Sequence, residues 1–367
     1  MFDRSGDSDK NISIHVESRN QHGPLGLPVI YSTPEVPAVI RGYVELNSTK
    51  EFKGKDISLQ FLAKARSHWT QQYGQTTVTY SGKHILMEKE FDMKLDHIRP
   101  GVIGPGQTRC NFEVTLLPSM PSSVKGRHGR MSYCFTATLE RSFPHRDMIV
   151  EADVWLYSSS LPIPSPLNPT TVKDYRGLWN DCLPYTCTLK SDTLYQGQTV
   201  PITIQFAPFI ANCRLYGQEV VVVSATVKLK QYQQLYSTRG SDKSKKELLT
   251  VHVNTGWPST VKGWERTLMV IMPEAPILSA TIHTNVVIKT HILKVIMMLR
   301  TNTQTDRQAK EFRVEMLVTI TAPRPPLEQV PGIELELPPP IDAIADILPP
   351  PYDDQPGMSS SVSDTKC

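Results

Sequence analysis

The sequence predicts an all-β protein of two consecutive β-sandwich domains followed by a disordered, proline-rich C-terminal tail. Two long blocks alternate apolar and polar residues with a period of two, a proline-dense stretch separates them, and no segment sustains the 3.6-residue period of an amphipathic helix. The expected boundaries are 1–157 for the first sandwich, 158–181 for an interdomain linker, 182–322 for the second sandwich and 323–367 for the tail.

In the first block the alternating sets are Ile12, Ile14 and Val16; Ile57, Leu59, Phe61 and Ala63; Phe112, Val114 and Leu116; Tyr133, Phe135, Ala137 and Leu139; and Met148, Val150, Ala152, Val154 and Leu156. Each reads as a half-buried strand, because successive side chains of a strand point to opposite faces. Between the blocks, Ser158 to Gly177 carries prolines at 162, 164, 166 and 169 and almost no alternation, so it reads as a semi-rigid linker. The pattern resumes with Ile202, Ile204 and Phe206, then Val221, Val223, Ala225, Val227 and Leu229, and closes with Val314, Met316, Val318 and Ile320. Two polar stretches read as loops: His68 to Gly82 and Ser237 to Glu247.

At 367 residues the chain is long enough for two real cores, and 39% hydrophobic with 20% charged residues suits a soluble globular protein. The polar start "MFDRSGDSDK" lacks the apolar segment of a signal peptide. The longest apolar runs, Val220 to Val223 and Val295 to Leu299, fall short of the roughly 18 residues that a membrane helix needs. Six scattered cysteines point to a reducing cytosol.

Enzymatic constellations are missing from the sequence: there is no phosphate loop, no G-x-S-x-G elbow and no H-E-x-x-H. Cys182 and Cys187 have no second pair or nearby histidine to complete a zinc shell, so they read as a strand pair of thiols. His291 shares a strand face with Leu293, Val295 and Met297 and reads as a core histidine with a satisfied partner. The expectation is a protein that is not an enzyme, with no cofactor, no metal and no nucleic-acid partner.

Charge and proline are unevenly placed. From residue 323 onward the chain has two basic and eight acidic residues, a net of −6, which leaves +9 on the remainder of a chain whose total is +3. Eleven of the 30 prolines fall in the same stretch, which holds "LPPPYDD", Leu348 to Asp354. Pro349, Pro350 and Tyr352 fit P-P-x-Y, the ligand of WW domains. Polyproline II geometry presents both prolines to an aromatic groove at little ordering cost, and Tyr352 falls on the same face. Pro351 is the permissive position. The basic remainder suits contact with an anionic membrane surface.

The ordered set "GPGQTRCNFEVTLLPSMPSSVKGRHGRMSYCFTATLER", Gly104 to Arg141, resembles the N-terminal arrestin domain of the alpha-arrestins: a glycine turn, a strand ending in Leu-Pro, a Pro-Ser-Ser loop and a Tyr-x-Phe-x-Ala-x-Leu strand. "DTLYQGQTVPITIQFAP", Asp192 to Pro208, resembles the entry to an arrestin C-terminal domain, with Trp264, "LMVIMP" and the set Val287, His291, Leu293 and Val295 resembling its later half. Lys289 stands where that family usually places an apolar residue.

The resemblance implies arrestin-like sandwiches over residues 10 to 322 and an adaptor that joins a membrane transporter or receptor to a WW-domain HECT-type ubiquitin ligase. Such an adaptor is cytoplasmic and is recruited peripherally to the plasma membrane and endosomes, where it promotes ubiquitination, endocytosis and sorting. The rival reading is an arrestin-like trafficking or retromer-type scaffold that uses no ligase. Many members carry two or more such motifs, and this chain has one. Arg239, Lys243, Lys245 and Lys246 read either as a solvated hairpin loop or as a patch for anionic lipid or phospho-peptide.

Overall fold

The structure is a computed structural model that describes residues 10–18, 23–33, 37–93, 101–141, 145–158, 172–258, 263–275, 277–301 and 308–322. All of them belong to one compact unit, Met1–Arg324. Among them there is no α-helix, only a 3-10 turn at Pro24–Gly26. The all-β expectation holds.

In the N-terminal half the strands are β1 (Lys10–Val16), β2 (Val29–Ser32), β3 (Val39–Ser48), β4 (Phe52–Tyr73), β5 (Thr76–Met93), β6 (Val102–Ile103), β7 (Gly106–Thr115), β8 (Val124–Lys125), β9 (Gly129–Arg141) and β10 (Met148–Ser158). They form a three-stranded sheet, β1-β3-β7, and a larger one in the order β2-β10-β9-β4-β5, with β6 on β4 and β8 on β9. The C-terminal half has β11 (Lys173–Trp179), β12 (Leu183–Leu189), β13 (Thr193–Tyr195), β14 (Thr199–Phe206), β15 (Val220–Ser237), β16 (Gly240–His252), β17 (Trp264–Ile271), β18 (Ile282–His283), β19 (Val287–Thr301) and β20 (Lys310–Thr321). Its sheets run β11-β12-β14-β17 and β13-β20-β19-β15-β16, with β18 on β19.

The two larger sheets repeat one plan. Each starts with a short strand paired in parallel, β2 on β10 and β13 on β20, and each ends in a long antiparallel hairpin, β4–β5 and β15–β16.

The alternation read from sequence is the burial pattern of most of these strands; on β15 a bulge between Val222 and Ser224 shifts the register, so Val220 and Val222 are buried where Val221 and Val223 were expected, and Val223 is 47% exposed. Ile57, Leu59, Phe61 and Ala63 on β4 lie beside Phe135, Ala137 and Leu139 of the neighbouring strand β9 on the same sheet face, all buried. Phe135 lies between Phe61, 4.9 Å away by ring centroids, and Phe112, 4.7 Å away on the opposing sheet. Each such side chain contributes about 1.5–3 kcal/mol when fully buried. The second core gathers Ile202, Ile204, Val227, Leu229, Leu293, Val295, Met297, Met316 and Ile320.

Three expectations are corrected. The linker expected at 158–181 loses both ends, since Ser158 closes β10 and Lys173–Trp179 form β11, pairing with β12 through Tyr175 and Trp179. The stretch 68–82 is not a loop but the distal half of the β4–β5 hairpin, with only Gly74 and Gln75 in the turn and Gly74 at φ 61°. Likewise Ser237 to Glu247 is hairpin rather than loop: Thr238 and Arg239 make the turn, and β16 starts at Gly240. The second segment is exposed ribbon, and in the first only Trp69, stacked on Tyr80 at 5.1 Å, is buried, so no apolar alternation announces either.

Candidate interaction surfaces

The docking peptide residues Pro349, Pro350 and Tyr352 lie outside the described residues. What the structure does place is the basic surface and the junction between the two halves.

The four cations, read either as a solvated hairpin loop or as one patch, lie on a hairpin that disperses them. Arg239 occupies the turn. Lys243 and Lys245, two apart on β16, share one face, and the Lys245 ammonium sits 5.5 Å from the Tyr232 ring centroid. Lys246 points to the opposite face, opposite Gln231 and toward buried Lys289, whose charge it opposes. The sequence run therefore supplies two cations to one face, not four.

A second basic surface was not legible in the sequence. Lys125 pairs with Arg130, Arg130 with Arg66, and Arg66 with Lys83, so four exposed cations stand side by side across β8, β9, β4 and β5. Like charges directly opposite one another on a sheet repel. Arg130 alone of the four has a carboxylate close by among the described residues, Asp153 at 2.9 Å. The arrangement favours an anionic surface over this face.

At the junction, the end of the β15–β16 hairpin enters the first half. Leu235, Val286 and Val287 join the N-terminal core, and the Ser67 hydroxyl donates to the Tyr236 carbonyl at 2.5 Å. Gly82, across from Ser67, makes that approach possible: a Cβ there would stand 2.4 Å from the Tyr236 carbonyl oxygen. Gly82→Val should therefore destabilise the chain by about 1–3 kcal/mol. A thermal melt checks this, and an unchanged Tm would show that the hairpin contact is not fixed as described.

Lys289, on the inner face of β19, is 3% exposed. Burial first, and then the Lys246 charge, lowers its pKa to about 8. His291, two residues on, is fully buried, and burial with the Lys289 charge lowers its pKa to about 3, so it stays neutral. Its Nδ1 pairs with the Thr281 hydroxyl at 3.0 Å, while Nε2 has no partner. The expected core histidine is thus satisfied at one ring nitrogen.

Cys182 and Cys187 are both buried, and burial raises the pKa of each. Cys187 is buried beside Met316, with its pKa pushed up to about 12 by burial, and Cys182 sits in the turn before β12 rather than on a strand. Among the described residues there is no group of three His, Cys, Asp or Glu side chains placed to hold a metal, and no helix long and apolar enough to cross a membrane.

Two packed pairs of sheets, each with its own core and joined through a buried hairpin, define a tandem sandwich scaffold. The profile of the arrestin (or S-antigen) N-terminal domain matches residues 30–151, within the first pair. An arrestin-related trafficking adapter of Schizosaccharomyces pombe is 22% identical over 226 residues, covering 52% of this chain and 34% of that relative. The chain thus spans about a third of the relative's length. The fold and these two matches make the chain similar to arrestin-related trafficking adapters, with an arrestin-type N-terminal domain in its first half.

Proposed function

We propose that the chain is a non-catalytic adaptor linking membrane-protein cargo, a plasma-membrane transporter or receptor, to a WW-domain HECT-type ubiquitin ligase. The observation that carries this reading is the single Pro349-Pro350-Pro351-Tyr352 match in an acidic, proline-rich stretch behind an arrestin-type body. The trafficking-adapter relative supports the coarser part of it, an adaptor in membrane traffic. The two domains are taken as residues 10–158 and 173–321, which are the extents of the two strand sets.

The mechanism is effective concentration. Holding ligase and cargo on one chain turns ubiquitin transfer into an encounter within one assembly. A single short motif binds weakly, so co-localisation at the membrane adds to it. The row Lys125, Arg130, Arg66 and Lys83, and the face bearing Lys243 and Lys245, suit the anionic cytoplasmic leaflet, where each basic residue near the surface contributes about 1 kcal/mol. This accounts for a cytoplasmic protein recruited peripherally to plasma membrane and endosomes.

The test compares ubiquitin sites on membrane proteins in cells that express the chain or its Tyr352→Ala variant. A set of membrane proteins should lose ubiquitin and accumulate at the surface with the variant. An unchanged ubiquitin profile would favour the scaffold that works without a ligase.

A further inference from the structure

In sequence Cys182 reads as the partner of Cys187; in space its partner is Cys213. Cys187 turns into the core, its Sγ 3.9 Å from Met316 Sδ. The Cys182 thiol is in hydrogen-bond contact with the Cys213 thiol, and the backbone N–H groups of Leu215 and Arg214 are directed at the same sulfur. Both thiols are free, Cys182 buried and Cys213 half-buried against the second core.

Main-chain bonds fix the two turns that carry them. Cys182 closes the β11–β12 turn, its N–H donating to the Trp179 carbonyl at 3.1 Å. Its own carbonyl accepts from the Ile210 N–H at 3.0 Å, and the Ile210 carbonyl accepts from the Cys213 N–H at 3.2 Å. One residue, Ile210, therefore ties both cysteines together. Each follows a residue in the left-handed region, Asp181 at φ 57° and Asn212 at φ 66°, as tight turns use Asp and Asn. Neither cysteine belongs to a strand, so a bond between them unpairs no ladder.

We propose that Cys182 and Cys213 are a dithiol pair that a low-molecular-weight disulfide, such as oxidised glutathione, converts to an intrachain disulfide. Cys213, the more accessible thiol, loses its proton to water, and its sulfur attacks one sulfur of the glutathione disulfide and expels the first glutathione thiolate. The Cys182 thiol then loses its proton, attacks the Cys213 sulfur of the mixed disulfide and expels the second. Two protein thiols and one disulfide become one protein disulfide and two glutathione thiols, which take up the two electrons and two protons.

Burial, and next the Cys213 contact, raise the Cys182 pKa, while the Leu215 and Arg214 N–H groups act the other way. Cys182 is thus the second thiol to react, and those N–H groups support its thiolate as it attacks. In a reducing cytosol the bridge is transient and forms while oxidised glutathione is raised. It ties the connection between β14 and β15, with its exposed Ile210 and Tyr216, to the β11–β12 turn. The pair needs neither ligase nor cargo, so it stands or falls apart from the adaptor reading.

The experiment incubates the full chain in glutathione buffers of increasing oxidised-to-reduced ratio, blocks the remaining thiols before denaturation and maps the digested peptides by mass spectrometry. Peptides joined through Cys182 and Cys213 should appear and should separate again with dithiothreitol. In Cys182→Ser, glutathione should accumulate on Cys213 at least about 10-fold above its parental level, because the internal thiol that removes it is gone. Cys213→Ser should abolish the joined peptides, and Cys187→Ser should leave them unchanged. If Cys182→Ser does not fold, the parent and the other two variants decide. No joined peptide at any ratio, a bridge formed in preference with another cysteine, or equal glutathione on Cys213 in parent and Cys182→Ser would overturn the pair.

Discussion

At pH 7, Lys289→Met should raise the stability of the folded chain by up to about 3 kcal/mol. Lys289 is nearly as buried as the apolar residues around it on β19, and methionine matches its stem in length without the charge. Its pKa is lowered from 10.5 to about 8, chiefly by burial. Below pH 8 the lysine is protonated in both folded and unfolded chains, and the folded state carries the whole penalty. Between about 8 and 10.5 the folded lysine is neutral while the unfolded one still binds its proton, so stability rises with pH; above 10.5 the penalty is gone.

The groups recorded against it are Lys246 on β16, His291 on its own strand and the Ser279 hydroxyl, and none of them offers a negative charge. The measurement is the urea midpoint of both proteins at pH 7 and pH 10, where the advantage of methionine should shrink. A methionine variant less stable than the parent at pH 7 would contradict it. His291 acts at the acid end: with its folded pKa lowered to about 3, the chain loses stability as pH falls from 6.5 toward 3. His291→Leu should flatten that acid limb in a pH series of melts.

These buried basic residues also show how far the sequence could be read. The strands that build the cores were legible because one face is apolar and the other is not, as on β9, where Tyr133, Phe135, Ala137 and Leu139 are buried in sequence order. Lys289 was visible as an interruption in the apolar set on β19, and the structure shows that it remains on the inner face. The distal parts of the two long hairpins were not legible, because exposed ribbon needs no apolar alternation and "SDKSKKE" reads as a charged loop. Nor was the row Lys125, Arg130, Arg66 and Lys83: strand register assembles it from distant parts of the chain, and no local pattern encodes register between distant strands. Gly82 was passed over for the same reason, since its need for a missing Cβ comes from Tyr236 in the other half.

A second large effect is expected at Tyr352. In a P-P-x-Y ligand the two prolines lie along an aromatic groove and the tyrosine fills its own pocket, so the ring supplies both the main buried area and a hydrogen-bonding hydroxyl. A side chain of that kind is an anchor, and truncating it typically costs at least about 2 kcal/mol, or about 30-fold in affinity. Position x only needs to remain extended, so Pro351 contributes little beyond stiffness.

Titration of an isolated WW domain of a HECT-type ligase with the full chain, its Tyr352→Ala variant and its Pro351→Ala variant tests the ligase-adaptor account most directly. The account predicts saturable one-to-one binding by the parent, near-parental binding by Pro351→Ala and a loss of at least about 30-fold with Tyr352→Ala. Equal binding by all three proteins, or no binding by the parent at concentrations that saturate a P-P-x-Y peptide, would contradict it.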